Sequence, residues 1–291
     1  VIRRTRTDIE NNPEYLEDLS HQNIIFPQVG DPISVFYKLD DELSSLFFDT
    51  VSLITGLDEA GNETDGLGYY RYRAIEFLTK EEDKKIYGNV KSISGRLSAI
   101  MRTLLVKRLE SSFFAFTQSI GRFQKAINNM IAMFESNRIF IAPDLDINSL
   151  LEEGYSYEQI EEKINAKGGN NREFTSDDFE KKFIALLKED KTRMDELVER
   201  WKNVTLDPKL EKFAEQIQNE FFNNKQNPSS KLVIFSESKE TAEELSKYLS
   251  ANTLFRVLTI NADNRKAMEA VLRENFDANL ESEKWKHDYD I

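Results

Sequence analysis

Residues 104–134 read LLVKRLESSFFAFTQSIGRFQKAINNMIAMF and carry an unbroken apolar repeat. The repeat alternates steps of four and three residues and consists of Leu109, Phe113, Phe116, Ile120, Phe123, Ile127, Met130 and Phe134. That spacing places all of its members along one face of an α-helix. It predicts a helix of about seven turns, about 40 Å long. We expect this face to form core or an antiparallel helical hairpin within the chain, and an intermolecular coiled coil is the alternative.

Helical spacing continues on both sides of this repeat. Upstream, Asp40-Asp41-Glu42 begins a predicted helix. Residues 179–187 and 194–201 carry two further apolar stripes at helical spacing. Because residues 143–203 are acidic and partly loop-like, we interpret residues 140–205 as an acidic insertion, or arm, within a helical subdomain spanning residues 31–205. An apolar segment that leads directly into the repeat contains Leu97, Ile100, Met101, Leu104 and Leu105.

The N-terminal part of the chain differs in character. Residues 1–30 contain the basic cluster Arg3, Arg4 and Arg6, followed by a polar stretch. After the turn signal Gly30-Asp31-Pro32, apolar residues occupy the odd positions of segment 33–37, which predicts a half-buried strand. Residues 55–68 are rich in Gly and Asp and predict a loop.

The C-terminal part, residues 206–291, alternates predicted strands and helices. Asp207 is a suitable N-cap and Pro208 suits the first helical position. Strand and helix alternating at this pitch predict a parallel α/β sheet, and the position of the last predicted strand suggests that the sheet is interrupted there. The predicted elements are a helix at 208–221, a fully buried strand at 232–235, a helix at 242–249, a strand at 255–260, a helix at 268–276 and the start of a strand at 289–291.

Composition limits the functions of the chain. It has 291 residues, of which 40% are hydrophobic, and a net charge of −13. Such an acidic chain is a poor candidate for coating nucleic acid or an anionic membrane without specificity. It has no cysteine, and His21 and His287 lie far apart, so no metal site is expected. No apolar run reaches the ~18 residues of a membrane span, so we expect a cytoplasmic protein that does not contact a membrane.

Catalytic motifs are absent from the sequence. A motor ATPase needs a glycine-rich phosphate loop that ends in Lys and Ser or Thr, and no segment has that arrangement. Asp195-Glu196 has the letters of a magnesium-binding acidic pair, but it lies on an amphipathic helix, where a solvated face is expected. No spacing supports a Ser-His-Asp or Cys-His site. We therefore predict no catalytic residue, metal ion or cofactor in this chain.

Two predicted strand-to-helix junctions could hold an anion. They cover residues 235–241 and 261–265. In a parallel α/β sheet, ligands meet the carboxyl ends of the strands, and a helix start offers unpaired N–H groups to a phosphate. The alternative is ordinary helix capping by Ser238 and Asp263.

Several segments resemble superfamily II helicases, in particular the Swi/Snf-like branch that includes the bacterial RNA-polymerase-associated translocase. Residues 231–236, KLVIFS, resemble motif IV. Residues 207–210 are similar to the helix that precedes this motif, and residues 1–9 resemble the segment that follows the first motor lobe. The resemblance therefore implies that residues 1–30 are a connector after that lobe. Motif IV alone has little specificity.

Three further segments resemble the family in the same order. Residues 104–112 with Ala115 are similar to a helix of prokaryotic members, and residues 259–276 resemble the stretch that leads to motif V. Residues 289–291 resemble the start of the strand that carries motif V. The matched segments reach both ends of the chain, and residues 140–205 have no counterpart.

The resemblance implies a parent protein that hydrolyses ATP with magnesium, while this chain is an internal fragment without activity of its own. Motifs I, II and III would precede Val1, and motifs V and VI would follow Ile291. In the family, the second lobe grips the DNA backbone through the motif IV loop. By resemblance, the DNA-binding residues are Ser236, Ser238, Lys239, Thr241, Asn264 and Arg265. Contacts to DNA or to another lobe are also expected for Arg3, Arg4, Lys107 and Arg108, although surface salt bridges account equally well for Lys107 and Arg108.

Two hypotheses follow for fold and function. The first is a mostly α, α+β fragment of a DNA helicase or translocase, with a helical subdomain and an incomplete RecA-like parallel-sheet second lobe. Its partners would be the DNA backbone, without sequence specificity, and the remaining lobes of the parent chain. The alternative is a helical interaction module that docks a partner protein through its apolar face and acidic insertion.

Overall fold

The computed structural model describes residues 5–22, 24, 26, 30–152, 156–223, 227–236, 238–277, 279–280 and 282–291. The chain divides into two compact units. The helical unit is formed by residues 38–209, and the split unit by residues 1–37 together with 210–291. The boundaries predicted at residues 31 and 206 therefore fall close to those of the helical unit.

Helices make up most of the described residues. The split unit begins with α1 (Arg6–Glu10) and α2 (Pro13–His21). The helical unit contains α3 (Asp41–Thr55), a 3-10 helix (Tyr70–Phe77), α4 (Glu81–Ile86), α5 (Val90–Ser111), α6 (Phe113–Glu135), β1 (Ile139–Ile141), α7 (Ile147–Glu152), α8 (Tyr157–Lys167), β2 (Arg172–Phe174), a second 3-10 helix (Ser176–Asp178) and α9 (Lys182–Trp201). The C-terminal elements are α10 (Pro208–Gln216), a π-helical turn (Ile217–Phe221), α11 (Lys239–Asn252), α12 (Arg265–Phe276) and a 3-10 helix (Ser282–Lys284).

The apolar repeat of residues 109–134 forms the centre of the helical unit. All of its members are buried except Phe134, which is half-buried and packs against the same core. The expected packing into the core of this chain is therefore confirmed. The repeat packs mainly against α9, from which Phe183, Leu187, Met194, Leu197 and Trp201 are buried.

The prediction of one continuous helix through this repeat is wrong at Ser112. This residue is extended, with φ −161° and ψ 134°, and it separates α5 from α6. Its hydroxyl accepts a hydrogen bond from the Ala115 N–H at 3.2 Å, and the Asp207 carboxylate accepts one from the Phe113 N–H at 3.0 Å. These two caps satisfy N–H groups that the interrupted helix would otherwise leave unpaired.

The interpretation of residues 140–205 as an arm does not hold for α9. Its buried side chains belong to the same core as α6, and Phe183 stacks on Phe77 with ring centroids 4.8 Å apart. The strands β1 and β2 form a short antiparallel pair in which Ile139 faces Phe174. Net acidity reflects the exposed residues of such a segment, so it did not reveal that its apolar stripe is core.

The strand predicted at residues 33–37 is wrong. These residues form no strand, and the side chains of Ile33 and Phe36 are 78% and 82% exposed. An alternating apolar pattern produces a strand only when a second strand accepts and donates its backbone hydrogen bonds. None of the described residues provides such a partner.

The C-terminal part of the split unit has a small core. Ala214, Ile217, Leu249 and Ile291 are buried in it. The segment predicted as a fully buried strand, 232–235, packs against this core only through Leu232 and Ile234, whereas Phe235 is 92% exposed. The prediction of full burial is therefore wrong, because the described residues cover this segment on one face only.

The two predicted strands of the split unit do not form a parallel sheet over the described residues. Both are linked to the last two residues by backbone hydrogen bonds. Ile291 donates to the Arg256 carbonyl at 3.2 Å, and Leu258 donates to the Ile291 carbonyl at 2.7 Å, which is the alternation of a parallel pair. Leu232 donates to the Asp290 carbonyl at 3.0 Å.

An ion pair between Arg256 and Asp290 strengthens this contact with the last two residues and leads to a prediction about the pH dependence of stability. The Arg256 guanidinium donates to both carboxylate oxygens of Asp290, at 3.0 and 2.7 Å, and holds the pKa of Asp290 below its ordinary value. A lowered pKa in the folded state stabilises the fold above pH 3.8, and this contribution is lost as the pH falls through the folded-state pKa. We expect a loss of about 1 kcal/mol.

The measurement is urea unfolding of the split unit at several acidic pH values, followed by the fluorescence of Trp285 in a Trp201→Phe background. Asp290→Asn should flatten the acid dependence, whereas Asp288→Asn, a matched change at an exposed neighbour, should leave it intact. Equal pH profiles for the two variants would contradict the assignment.

Candidate nucleic-acid interface

The two predicted strand-to-helix junctions lie side by side at the starts of α11 and α12. The Lys239 ammonium at the start of α11 pairs with the Asp263 carboxylate just before α12. The same ammonium lies 3.8 Å from the Glu243 carboxylate. The structure thus brings together the two junctions that carry the six predicted DNA-binding residues of this unit. They are joined by an ion pair that was not predicted from the sequence.

The hydroxyl groups of the first junction build the turn into α11. The Ser238 hydroxyl accepts a hydrogen bond from the Thr241 N–H at 3.2 Å and donates to the Glu240 carboxylate at 3.1 Å. The Ser236 hydroxyl accepts from the Ser238 N–H at 3.2 Å. Ser238 is buried, whereas Ser236 is exposed. The capping alternative is therefore confirmed for Ser238, whereas Ser236 is exposed to solvent.

The second junction is built by amide side chains. The Asn264 side-chain oxygen accepts from the Asn261 N–H at 2.8 Å, and its NH₂ group donates to the Thr259 carbonyl at 2.9 Å. Asn264 precedes α12 without capping it through its side chain. The predicted cap by Asp263 is wrong, because this carboxylate binds Lys239.

The charges of this interface are largely compensated. Hydrogen bonding to Asp263 and nearby carboxylates raise the pKa of Lys239, so this side chain stays charged but is neutralised locally. Arg265 is exposed and, among the described residues, has no ion-pair partner. Arg265 is therefore more accessible to a phosphate group than Lys239, whose charge is paired.

The remaining predicted contacts are Arg3, Arg4, Lys107 and Arg108. Arg3 and Arg4 fall outside the described residues, while the neighbouring Arg6 binds Glu10 at 2.6 Å. Lys107 and Arg108 lie near the end of α5 in the helical unit. The exposure of the apolar Val233 and Phe235 beside the first junction was not predicted from the sequence.

Other classes of site find no support among the described residues. No group of three His, Asp or Glu side chains there is placed to hold a metal ion, and no helix there is long and apolar enough to cross a membrane. Asp195 is half-buried on α9 and accepts hydrogen bonds from Gln124 on α6 and from Lys191, whereas Glu196 is exposed. Comparison of the chain with protein-family models, curated proteins and solved structures found no match.

Proposed function

We propose that this chain is part of an ATP-dependent DNA helicase or translocase. It contributes a helical subdomain and the DNA-backbone contacts of a second, RecA-like motor lobe, and ATP with magnesium is bound elsewhere in the parent protein. The observation that carries the proposal is the adjacency of the two helix starts, Ser238 to Thr241 and Asp263 to Arg265. Each follows a segment that is hydrogen-bonded to residues 290–291.

A phosphate backbone suits the chemistry of this interface. The start of a helix offers N–H groups and a positive dipole end to an anion, and here two helix starts lie beside one accessible arginine. Three glutamates accompany the single lysine in residues 235–243, so repulsion by these carboxylates opposes binding. We therefore propose weak DNA binding without sequence specificity that depends on salt through few phosphate contacts.

The test is a salt titration of binding to a short fluorescein-labelled DNA. Arg265→Glu should weaken binding and reduce the slope of log K against log salt by roughly 0.7–0.9 for each lost phosphate contact. Lys247→Glu, the same charge change at an exposed position within α11, should have a smaller effect on both quantities. Equal effects of the two variants would mean that Arg265 acts only through the net charge of the chain and does not contact a phosphate.

A gain-of-binding variant sharpens this test. Asp263→Asn removes the carboxylate that neutralises Lys239, so the freed ammonium should bind a further phosphate. We expect tighter DNA binding and a steeper salt dependence than for Glu269→Gln, which makes the same change in net charge on an exposed part of α12. No difference between these two variants would argue against Lys239 as a DNA contact.

The proposal also predicts that this chain alone does not hydrolyse ATP above background, with or without DNA. The measurement is phosphate release by the purified chain. Turnover that survives repeated purification and is abolished by a substitution in this chain would contradict the assignment of ATP chemistry to the rest of the parent protein.

A further inference from the structure

An exposed apolar stripe runs along α5 in the helical unit. It consists of Ile93, Leu97, Ile100 and Leu104, spaced by four, three and four residues. These side chains are between 38% and 52% exposed, while Leu105 and Leu109 on another face of the same helix are buried. The stripe is about 16 Å long, which corresponds to about three helical turns.

The first half of this stripe borders a cavity of about 370 Å³. Ile93 and Leu97 form one wall of the cavity, and Tyr72, Ile75, Met130 and Phe140 are among the residues that line the rest. An engineered apolar cavity of roughly 150 Å³ is large enough to bind benzene, so this one has room for a large side chain and more. The cavity and the stripe together form an apolar groove.

The charge of α5 is opposite to that of the chain as a whole. From Val90 to Leu109 the helix carries Lys91, Arg96, Arg102, Lys107 and Arg108 and no carboxylate, whereas the chain has a net charge of −13. Lys91 and Arg96 are exposed next to Ile93 and Leu97. One carboxylate, that of Asp146, lies in the cavity wall, where it accepts hydrogen bonds from the N–H and hydroxyl of Ser149. The rim along α5 is therefore cationic.

We propose that this groove binds an acidic amphipathic helix of a partner protein. Apolar side chains of such a helix would cover Ile100 and Leu104 and fill the cavity beside Leu97, and its carboxylates would face Lys91 and Arg96. This is the helix-in-groove mode of recognition, in which apolar anchors recur at helical spacing. The proposal does not depend on DNA binding by the split unit.

Charge and apolar area distinguish this occupant from others. A second copy of the chain pairing α5 with α5 would place like charges opposite each other, which disfavours association. A nucleic-acid backbone would match the cations but would leave the apolar stripe and the cavity uncovered. An acidic helix with an apolar face satisfies both features.

The experiment uses the full chain and a fluorescein-labelled amphipathic peptide of about three helical turns, with leucine and phenylalanine on one face and glutamate on the other. We expect saturable binding that weakens with salt. Leu97→Asp and Ile100→Asp should each weaken it about tenfold, since each removes one apolar anchor. Arg96→Glu should weaken binding and reduce its salt dependence, whereas Leu206→Asp, at an exposed apolar position outside α5, should leave it unchanged.

Three results with the peptide would overturn the proposal. They are equal binding of a peptide with the same composition in scrambled order, absence of binding, and equal affinity of the Leu97→Asp and Leu206→Asp variants. If a short DNA duplex displaces the peptide, and Leu97→Asp abolishes this competition, the groove would be assigned to nucleic acid instead. Concentration-dependent dimerisation that Leu97→Asp abolishes, without peptide binding, would assign it to a second copy. Trp201 fluorescence of each variant verifies that the helical unit is folded.

Discussion

Replacing Trp201 by alanine is expected to lower the free energy of unfolding of the helical unit by about 3–5 kcal/mol. Trp201 is 1% exposed at the end of α9. Its ring meets Phe113 and Phe116 edge to face, with centroids 4.9 and 5.1 Å away. The substitution would open a cavity beside these two aromatic rings, which are fixed in place by the backbone of α6. Because the stability of a whole domain is about 5–15 kcal/mol, this is a large fraction of the total.

A buried hydrogen bond adds to the contribution of the Trp201 side chain to stability. The indole N–H donates to the Thr50 hydroxyl at 2.9 Å, and that hydroxyl donates to the Leu46 carbonyl at 2.7 Å. This chain of bonds joins α9 to α3. Trp201→Phe would keep most of the ring but lose the indole N–H, so we expect a smaller loss of about 1–2 kcal/mol.

Urea unfolding followed by circular dichroism measures both losses. The matched control is Trp285→Phe in the split unit, where the half-buried indole donates to the Asp277 carbonyl. This control should leave the unfolding of the helical unit unchanged. A loss of less than about 1 kcal/mol in Trp201→Ala would mean that the surrounding core closes over the missing ring.

The helical core could be predicted from sequence because its signal is local. Steps of three and four residues along 109–134 are sufficient to define one helix face, and a long face of this kind is rarely left exposed. The same information was insufficient for α5, where Leu104 and Leu105 are adjacent and apolar but only Leu105 is buried. Which of two neighbouring stripes becomes core depends on the helices that pack there, and those lie far away in sequence.

Predictions that required a partner elsewhere in the chain failed for the same reason. Segment 33–37 has the alternation of a strand, but no described residues pair with it. Segment 232–235 has the apolar run of a buried strand, but Phe235 is exposed. At the candidate interface, the local cap by Ser238 was predictable, whereas the pairing of Lys239 with Asp263 was not, because it joins residues 24 positions apart.

The loop predicted at residues 55–68 shows most clearly that contacts between distant residues are not predictable from the local sequence. Its glycine-rich composition indicated a loop, but its end enters the core, where Tyr69 is fully buried and adopts a φ of +53°. A side chain on Gly66 would come within 2.6 Å of the Gly56 backbone, so this position requires glycine. The end of this loop is hydrogen-bonded to Asp190 on α9, 122 residues after Gly68.

Asp190→Ala is therefore the second substitution for which we expect a large loss, about 2–4 kcal/mol from the helical unit. The carboxylate is 1% exposed and accepts hydrogen bonds from the N–H groups of Gly68 at 2.7 Å and Tyr70 at 2.9 Å. Alanine would leave both backbone groups without an acceptor. Urea unfolding followed by Trp201 fluorescence in a Trp285→Phe background measures the loss. Glu189→Ala, an exposed neighbour on the same helix, should cost little.

Asp190→Asn separates the hydrogen bonds of this carboxylate from its charge. Burial raises the pKa of Asp190, despite the two N–H donors that lower it. A raised pKa in the folded state gives a stabilising contribution that is complete below pH 3.8 and is lost as the pH rises through the folded-state pKa. Ionisation of Asp190 therefore opposes folding at neutral pH.

Asparagine at position 190 retains one acceptor and carries no charge, and we expect it to cost at least about 1 kcal/mol less than alanine. The wild-type stability should also decline relative to this variant as the pH rises from the acidic range towards neutrality. If the wild-type stability instead rises relative to the asparagine variant as the pH increases, the ionised carboxylate is the stabilising species, and the direction assigned to its pKa is wrong.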